Sequence, residues 1–257
     1  MARRGRIFRT AAFVVSAALA AATFLLAWDQ PVVVSTLLAG VLLVAGLQWI
    51  ARRRLQRLLR SGDVASVLRR WSPSLQRVPH PATMGPLMTA TAFAAYGWVD
   101  KARAALASAE RGPAWDAAIE HRLFLNALLL TFEGERDEAI EQAGRLARLP
   151  LPPIGPALRA RVQILRLAVG ALARAFAHQA VPGDADLLEH ASQTSPLVFW
   201  AMRYGAAVVA VDRGDLAKVR GLLEKAPVWP VESAFRAFHD EIALQIGAAP
   251  REALGQP

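Results

Sequence analysis

The sequence predicts an all-α protein in which an N-terminal transmembrane helical hairpin is followed by a solenoid of antiparallel α-hairpins. Two apolar runs of membrane-spanning length precede residue 51, and apolar residues then recur at helical spacing with no long alternating strand pattern. A glycine-centred turn also recurs along the chain, as expected for repeated helical hairpins. The 257 residues therefore divide into three segments. Residues 1–60 form a basic N-terminus with two membrane helices, 61–81 a degenerate first repeat and proline-containing linker, and 82–257 a repeat domain with a C-terminal capping helix.

The two apolar runs cover about residues 9–28 and 31–50. Each has about 20 residues, which at roughly 1.5 Å per residue cross a hydrocarbon layer of about 30 Å. The connection between them is so short that the two helices must form a tight antiparallel hairpin. Side chains suited to the membrane interface flank the runs, and they are Trp28, Trp49, Arg52, Arg53 and Arg54. An alternative is a signal peptide cleaved near residues 18–22, which would reverse the topology of everything that follows.

Positive charge is concentrated beside these runs. Residues 1–60 contain nine arginines and one acidic residue, which accounts for nearly all of the net charge of +9. The loop between the runs carries no basic residue, so the positive-inside rule predicts an inner-membrane protein with two spans and both termini in the cytoplasm. The remainder of the chain is close to neutral and has no basic stripe, which argues against nucleic acid as a partner.

A glycine followed five residues later by a small or aliphatic residue recurs five times after the second run. The glycines are Gly62, Gly97, Gly134, Gly183 and Gly214, at spacings of 35, 37, 49 and 31 residues. Glycine readily adopts the left-handed conformation that ends a helix, and the later residue then faces the preceding helix. The first copy further predicts that residues 47–60 form the first helix of a hairpin, so that the second span continues directly into the repeats.

This pattern resembles the tetratricopeptide repeat, a 34-residue helical hairpin with glycine in its turn and alanine five residues later. Small residues seven positions before the glycine match the family at Ala90, Ala127 and Ala207. The resemblance covers roughly residues 82–227, although the family's early tryptophan and later tyrosine are absent in register and one spacing is lengthened to 49 residues. Two spans followed by repeats, with an arginine-rich exit from the second span, also resemble the HemY family of inner-membrane proteins.

The tetratricopeptide resemblance implies a concave groove lined by the first helix of each repeat. Its register places seven side chains in that groove, namely His121, Phe124, Leu128, Thr131, Tyr204, Val208 and Val211. This set lacks the lysine and asparagine that family members use to bind peptide carboxylates, so an amphipathic helix or an extended apolar peptide is the better expected ligand. The alternative is that these residues pack on a neighbouring helix.

The sequence also predicts whether two further segments are buried or exposed. Residues 162–181 are apolar, but Arg166 and Arg174 within them would each cost about 2.5–3.5 kcal/mol at mid-membrane, so a buried amphipathic helix is predicted and not a third span. Trp229 lies between two prolines, and this position predicts an exposed side chain.

No pattern in the sequence indicates catalysis or a metal site. The chain has no cysteine and its five histidines lack metal-ligand spacing, and there is no phosphate loop or nucleophile elbow. The sequence therefore predicts a non-enzymatic membrane scaffold or adaptor without a cofactor. It would present its helical-repeat domain to other proteins or peptides at the cytoplasmic face, and would contact membrane lipids through its spans and arginines. The alternatives are a structural subunit that assembles through its transmembrane hairpin and a membrane-bound enzyme of unrecognised type.

Overall fold

The computed structural model describes residues 31–247, and the regular secondary structure of this part of the chain is entirely helical. The all-α prediction is therefore confirmed for these residues. The first predicted span, Trp28 and the last ten residues lie outside them, and the side chain of Arg52 is likewise not described. The helices are α1 Pro31–Arg60, α2 Val64–Leu75, α3 Pro81–Ala95, α4 Val99–Ala107, α5 Pro113–Ala117, α6 Ile119–Glu133, α7 Arg136–Arg148, α8 Pro156–Phe176, α9 Asp184–Thr194, α10 Phe199–Asp212, α11 Leu216–Leu223 and α12 Ala234–Gln245, with a 3₁₀ turn at Pro196–Val198.

The chain divides into two compact units, Met1–Leu55 and Gln56–Pro257. The described part of the first unit belongs to α1, whose large apolar side chains are mostly exposed: Val32, Val41 and Leu43 are 74%, 65% and 64% accessible. Within residues 31–247, no single helix meets the length and hydropathy criteria for a membrane span. One pair bent by 119°, Asp184–Thr194 with Pro196–Asp212, meets them jointly.

The second unit is built from helices that pack against their neighbours in the sequence. The strongest pairings are α3 with α4, α6 with α7, α7 with α8, α8 with α9, α9 with α10, and α10 with α11. The helices α3, α6, α8 and α10 also pack against one another in that order, and α12 packs on α10. One continuous hydrophobic core therefore runs through the unit.

All five turn glycines have positive φ: +81° at Gly62, +74° at Gly97, +85° at Gly134, +93° at Gly183 and +72° at Gly214. The residues five positions later are at most 1% exposed, and they are Val67, Ala102, Ala139, Leu188 and Val219. Each turn therefore reverses the chain in a conformation that favours glycine and buries the side chain five positions later. This local geometry explains why the spacing recurs.

The last turn of α1 belongs to the second unit, which begins at Gln56, whereas the first glycine copy predicted a hairpin helix over residues 47–60. Leu59 is 7% exposed, and its carbonyl accepts a hydrogen bond of 2.7 Å from the Tyr96 hydroxyl. The next carbonyl, of Arg60, accepts one of 2.8 Å from Nε1 of Trp200. Asp63 then caps α2 by accepting from the backbone N–H of Ser66 at 3.0 Å. Side chains from two distant helices thus satisfy the carbonyls that the end of α1 leaves free.

We expect Gly134→Val to lower the free energy of unfolding by about 1–3 kcal/mol, because a β-branched residue resists the left-handed conformation. A Cβ at this position would meet nothing within 4 Å, so the cost comes from the backbone and not from a clash. Gly221→Val is the matched control, because Gly221 lies inside α11 and its Cβ would also meet nothing within 4 Å. Thermal unfolding of the full chain in detergent should show a loss only for Gly134→Val, and equal melting temperatures would contradict the argument.

Candidate functional site

The C-terminal helix α12 packs on α10 and contacts Tyr204, one of the predicted groove residues. Phe235 is fully buried, and its ring stacks on Tyr204 at 4.9 Å between centroids and meets Phe132 and Trp229 edge-on at 5.2 and 5.0 Å. Phe238 packs one turn later against Phe176 at 4.8 Å. These side chains, together with Trp200, form an aromatic cluster between α12 and the helices α6, α8 and α10.

Hydrogen bonds hold the start of α12 in place. The Ser233 hydroxyl donates to the Tyr96 carbonyl at 2.7 Å and accepts from the Phe235 amide at 3.2 Å. The Ala234 amide donates to the Gly97 carbonyl at 2.8 Å. A Cβ on Gly97 would lie 2.9 Å from the Ser233 hydroxyl oxygen and 3.1 Å from the Phe235 ring. The turn after α3 is therefore shaped to receive α12, in addition to reversing the chain.

Three of the seven predicted groove residues are buried. Leu128 and Tyr204 are fully buried and Thr131 is 4% exposed. The Thr131 hydroxyl donates to the Ala127 carbonyl at 2.7 Å, and the Tyr204 hydroxyl accepts a hydrogen bond of 2.7 Å from Nε1 of Trp229. These side chains pack within the protein, as the alternative reading of the groove anticipated. The expectation that Trp229 is exposed is wrong, because it is 2% exposed and belongs to the aromatic cluster.

The other four groove residues fall into two separate places. His121 and Phe124 line a cavity of about 840 Å³, which we call the α3–α6–α8 cavity. Val208 and Val211 line a depression of about 240 Å³ beside α12, which we call the α12 depression, and Thr131 also reaches its wall. The seven residues therefore do not line one continuous groove. Helix α12 contributes Phe238, Glu241 and Ile242 to the wall of the α12 depression and no residue to the wall of the cavity.

The α3–α6–α8 cavity has mostly apolar walls. Its apolar lining includes Met84 from α3, Phe124 from α6, Leu146 from α7, and Val162 and Leu165 from α8. The segment 78–80 and the short helix α5 complete the wall. Leu146 belongs to the hydrophobic core, so the wall of the cavity adjoins the core. A cavity of this size and composition is typical of small-molecule sites, which are mostly apolar and about 300–1,000 Å³.

Arg166, the one cation among the described residues of this wall, is neutralised within the protein. Arg166 is 4% exposed, and its Nε donates to Glu120 at 2.9 Å. Its two terminal nitrogens donate to the carbonyls of Leu149 at 2.6 Å and Pro150 at 3.2 Å, and Nη2 also lies 2.9 Å from Glu120 Oε2. These hydrogen bonds use all the nitrogens of the guanidinium and hold the loop after α7 against α8. The guanidinium offers no free charge to a ligand in the cavity.

His121 joins α6 to α3 through Thr91. The Thr91 hydroxyl donates its only proton to the Leu87 carbonyl at 2.9 Å, so it must accept at its 2.7 Å contact with Nε2 of His121. This pattern assigns the proton of the neutral ring to Nε2, and in that tautomer Nδ1 is an acceptor. Burial lowers the pKa of His121 below its ordinary value, against the opposing effects of the Leu87 carbonyl and the Glu120 charge. The neutral ring is accordingly the favoured form at neutral pH.

We expect this histidine to make the fold less stable in mild acid. Because its folded-state pKa lies below the ordinary value of 6.5, the unfolded chain binds the proton more readily. Stability is then complete above about pH 6.5 and falls as the pH drops from there toward the folded-state pKa. Urea unfolding of His121→Gln between pH 8 and 5 should show a shallower loss than the wild type. The exposed His190→Gln is the control with an unchanged slope, and a wild-type slope in His121→Gln would refute the assignment.

The α12 depression differs in having a charged rim. Its apolar floor includes Phe176, Val208, Val211 and Phe238. The exposed residues around it carry both signs of charge, and they are Glu133, Arg136, His178, Asp212 and Glu241. His178 Nδ1 lies 2.9 Å from Asp212 Oδ1. An apolar centre with a polar rim is the usual composition of a protein–protein contact.

The described membrane-interface residues lie in α1. Trp49 is 55% exposed, and the Arg53 guanidinium lies 3.8 Å from the centroid of its ring. Arg54 is exposed on the same helix. Among residues 31–247 no group of three or more metal-binding side chains is present.

The residues of α12 are the part of the site that sequence reasoning missed. A C-terminal capping helix was predicted, and Phe235, Phe238 and Ile242 follow the spacing of three and four that an amphipathic helix requires. Nothing local indicates that this helix turns back over α6 and α10. No family model, curated protein or solved structure matches this chain.

Proposed function

We propose that this chain is a membrane-anchored adaptor whose second unit is a tetratricopeptide-like solenoid that binds a partner protein at the α12 depression. The α12 depression carries the proposal, because it combines a half-buried apolar floor with charges of both signs. Its walls come from several helical hairpins and α12, all of them held by the same core. The partner surface is therefore rigid before binding, which lowers the entropy lost on association.

The proposal includes two membrane spans, at about 9–28 and 31–50, with both termini in the cytoplasm. It is supported by the exposed aliphatic side chains of α1 and by the pairing of Arg53 with Trp49 just beyond the second predicted span. These features suit a helix whose surroundings are apolar. The second unit would then face the cytoplasm.

Site-specific photocrosslinking of the full chain in native membranes tests this function. A photoreactive phenylalanine at Val211, on the floor of the depression, should give a discrete partner adduct identifiable by mass spectrometry. The same residue at Glu141, exposed on α7, should not. The rim variant Glu241→Arg should abolish the Val211 adduct without lowering the amount of protein, and a Val211 adduct indifferent to this charge reversal would count against the depression.

A structural subunit that assembles through its hairpin is the second candidate. Added Cβ atoms at Gly40 and Gly46 would meet nothing within 4 Å, and small residues let membrane helices approach closely. A photoreactive residue at Val44, on the surface of α1 that includes Gly40, separates the two functions. Adducts at Val44 and none at Val211 would favour assembly through the hairpin.

A further inference from the structure

The α3–α6–α8 cavity is independent of the α12 depression. Apart from Thr91, His121 and the Glu120–Arg166 pair, the lining side chains are apolar or belong to the exposed His80 at its edge. A protein partner at the depression does not need this space. An apolar cavity of about 840 Å³ whose wall includes the core residue Leu146 is instead suited to a molecule that enters it.

The electrostatics of the wall select against a charged occupant. Arg166 is committed to Glu120 and to two backbone carbonyls, so no cation is available to a carboxylate or phosphate. Glu120 is bound by the same arginine at 2.9 Å, so it offers little to an ammonium group. An ionised ligand would lose its hydration without a compensating partner, and this cost disfavours it strongly.

His121 supplies one place where a polar group of the occupant would be satisfied. The chain of hydrogen bonds from His121 Nε2 to Thr91 and from Thr91 to Leu87 leaves Nδ1 as an acceptor. Beyond Thr91 and the Leu87 carbonyl, no hydrogen-bond partner of the His121 ring lies within residues 31–247, and in the tautomer with its proton on Nε2 the acceptor is Nδ1. A ligand with one hydroxyl or N–H donor would satisfy it, whereas a ligand with only acceptors would not.

We propose that the α3–α6–α8 cavity binds an uncharged aliphatic molecule with a hydroxyl group, which donates to Nδ1 of His121 while the chain lies against Met84, Phe124 and Leu165. This binding goes beyond the adaptor function and does not depend on it. Partner crosslinking at Val211 can fail while the cavity is occupied, and the converse also holds.

Photoaffinity labelling of the full chain in its native membranes tests the proposal. The probes are a ten-carbon alcohol with a diazirine in its chain and the carboxylic acid of the same length with the same diazirine, both at pH 8. The alcohol should label peptides containing 78–91, 113–124 and 162–166 at least about tenfold more than the acid does, and excess 1-decanol should remove this labelling. Labelling of 31–50 measures how much of each probe enters the membrane and normalises the comparison.

Two variants sharpen the result. Val162→Trp places a large ring at a half-buried position of the wall and should reduce alcohol labelling of the cavity by about tenfold. His121→Phe removes the acceptor and should bring the labelling by the alcohol and by its methyl ether to the same level. If either variant fails to fold, the wild-type comparison of alcohol with acid still decides. Equal cavity labelling by both probes, or alcohol labelling confined to 31–50, would overturn the proposal.

Discussion

Phe235→Ala is expected to lower the free energy of unfolding of the second unit by about 3–5 kcal/mol, the usual cost of removing a fully buried phenylalanine. Its ring contacts Phe132, Tyr204 and Trp229 at centroid distances of 4.9–5.2 Å. These contacts come from α6, α10 and the loop before α12, so the cavity left by the truncation could close only if α12 moved. Little relaxation is therefore available to reduce the cost.

Urea unfolding of the full chain in detergent, followed by circular dichroism, measures this loss. Val231→Ala is the matched control, because Val231 is in the same region of the chain and is 88% exposed. Its effect should stay within about 0.5 kcal/mol. A loss below about 1 kcal/mol for Phe235→Ala would mean that α12 does not pack over the aromatic cluster.

Arg166→Met is the second large effect, and it should lower the free energy of unfolding by about 2–4 kcal/mol. The methionine keeps most of the aliphatic volume but leaves the carbonyls of Leu149 and Pro150 without their donors. A buried acceptor without a partner costs about 1–3 kcal/mol. The loss of the ion pair adds less than a fully buried pair would, because the Glu120 side chain is 41% exposed and can be hydrated again.

The comparison for this prediction is Arg159→Met, which changes an exposed arginine in the same helix. It should alter stability by no more than about 0.5 kcal/mol. The melting temperatures of the two variants in detergent would show the difference directly. If both fell equally, the buried position of Arg166 and its hydrogen bonds to the loop after α7 would not account for its role.

The turns were predictable because their information is local. A glycine at positive φ and a buried residue five positions later depend only on the geometry of one turn, so Gly134 and Ala139 could be interpreted from their spacing alone. The two arginines of 162–181 were also informative. They predicted a helix buried in protein, and both are indeed paired, Arg166 with Glu120 and Arg174 with Asp184.

The packing of α12 against Tyr204 and Phe132 was not predictable in the same way. Phe235 meets Phe132 across about a hundred residues of sequence, and no local propensity encodes that meeting. The pattern of first helices predicted Leu128 and Tyr204 on one face, but it did not predict that both are fully buried or that Tyr204 stacks on Phe235 of α12. The hydrogen bonds of Arg166 are equally non-local, since they join α8 to α6 and to the loop after α7.

The most direct test of this account is the chemical accessibility of the divided face. The chain has no cysteine, so each single-cysteine variant carries one reactive thiol. In the folded full-length protein, Leu128→Cys and Thr131→Cys should react with a water-soluble maleimide at least about tenfold more slowly than Phe124→Cys and Val211→Cys. Similar rates at all four positions would indicate one open groove, and would contradict the claim that Leu128 and Thr131 are buried between two separate sites.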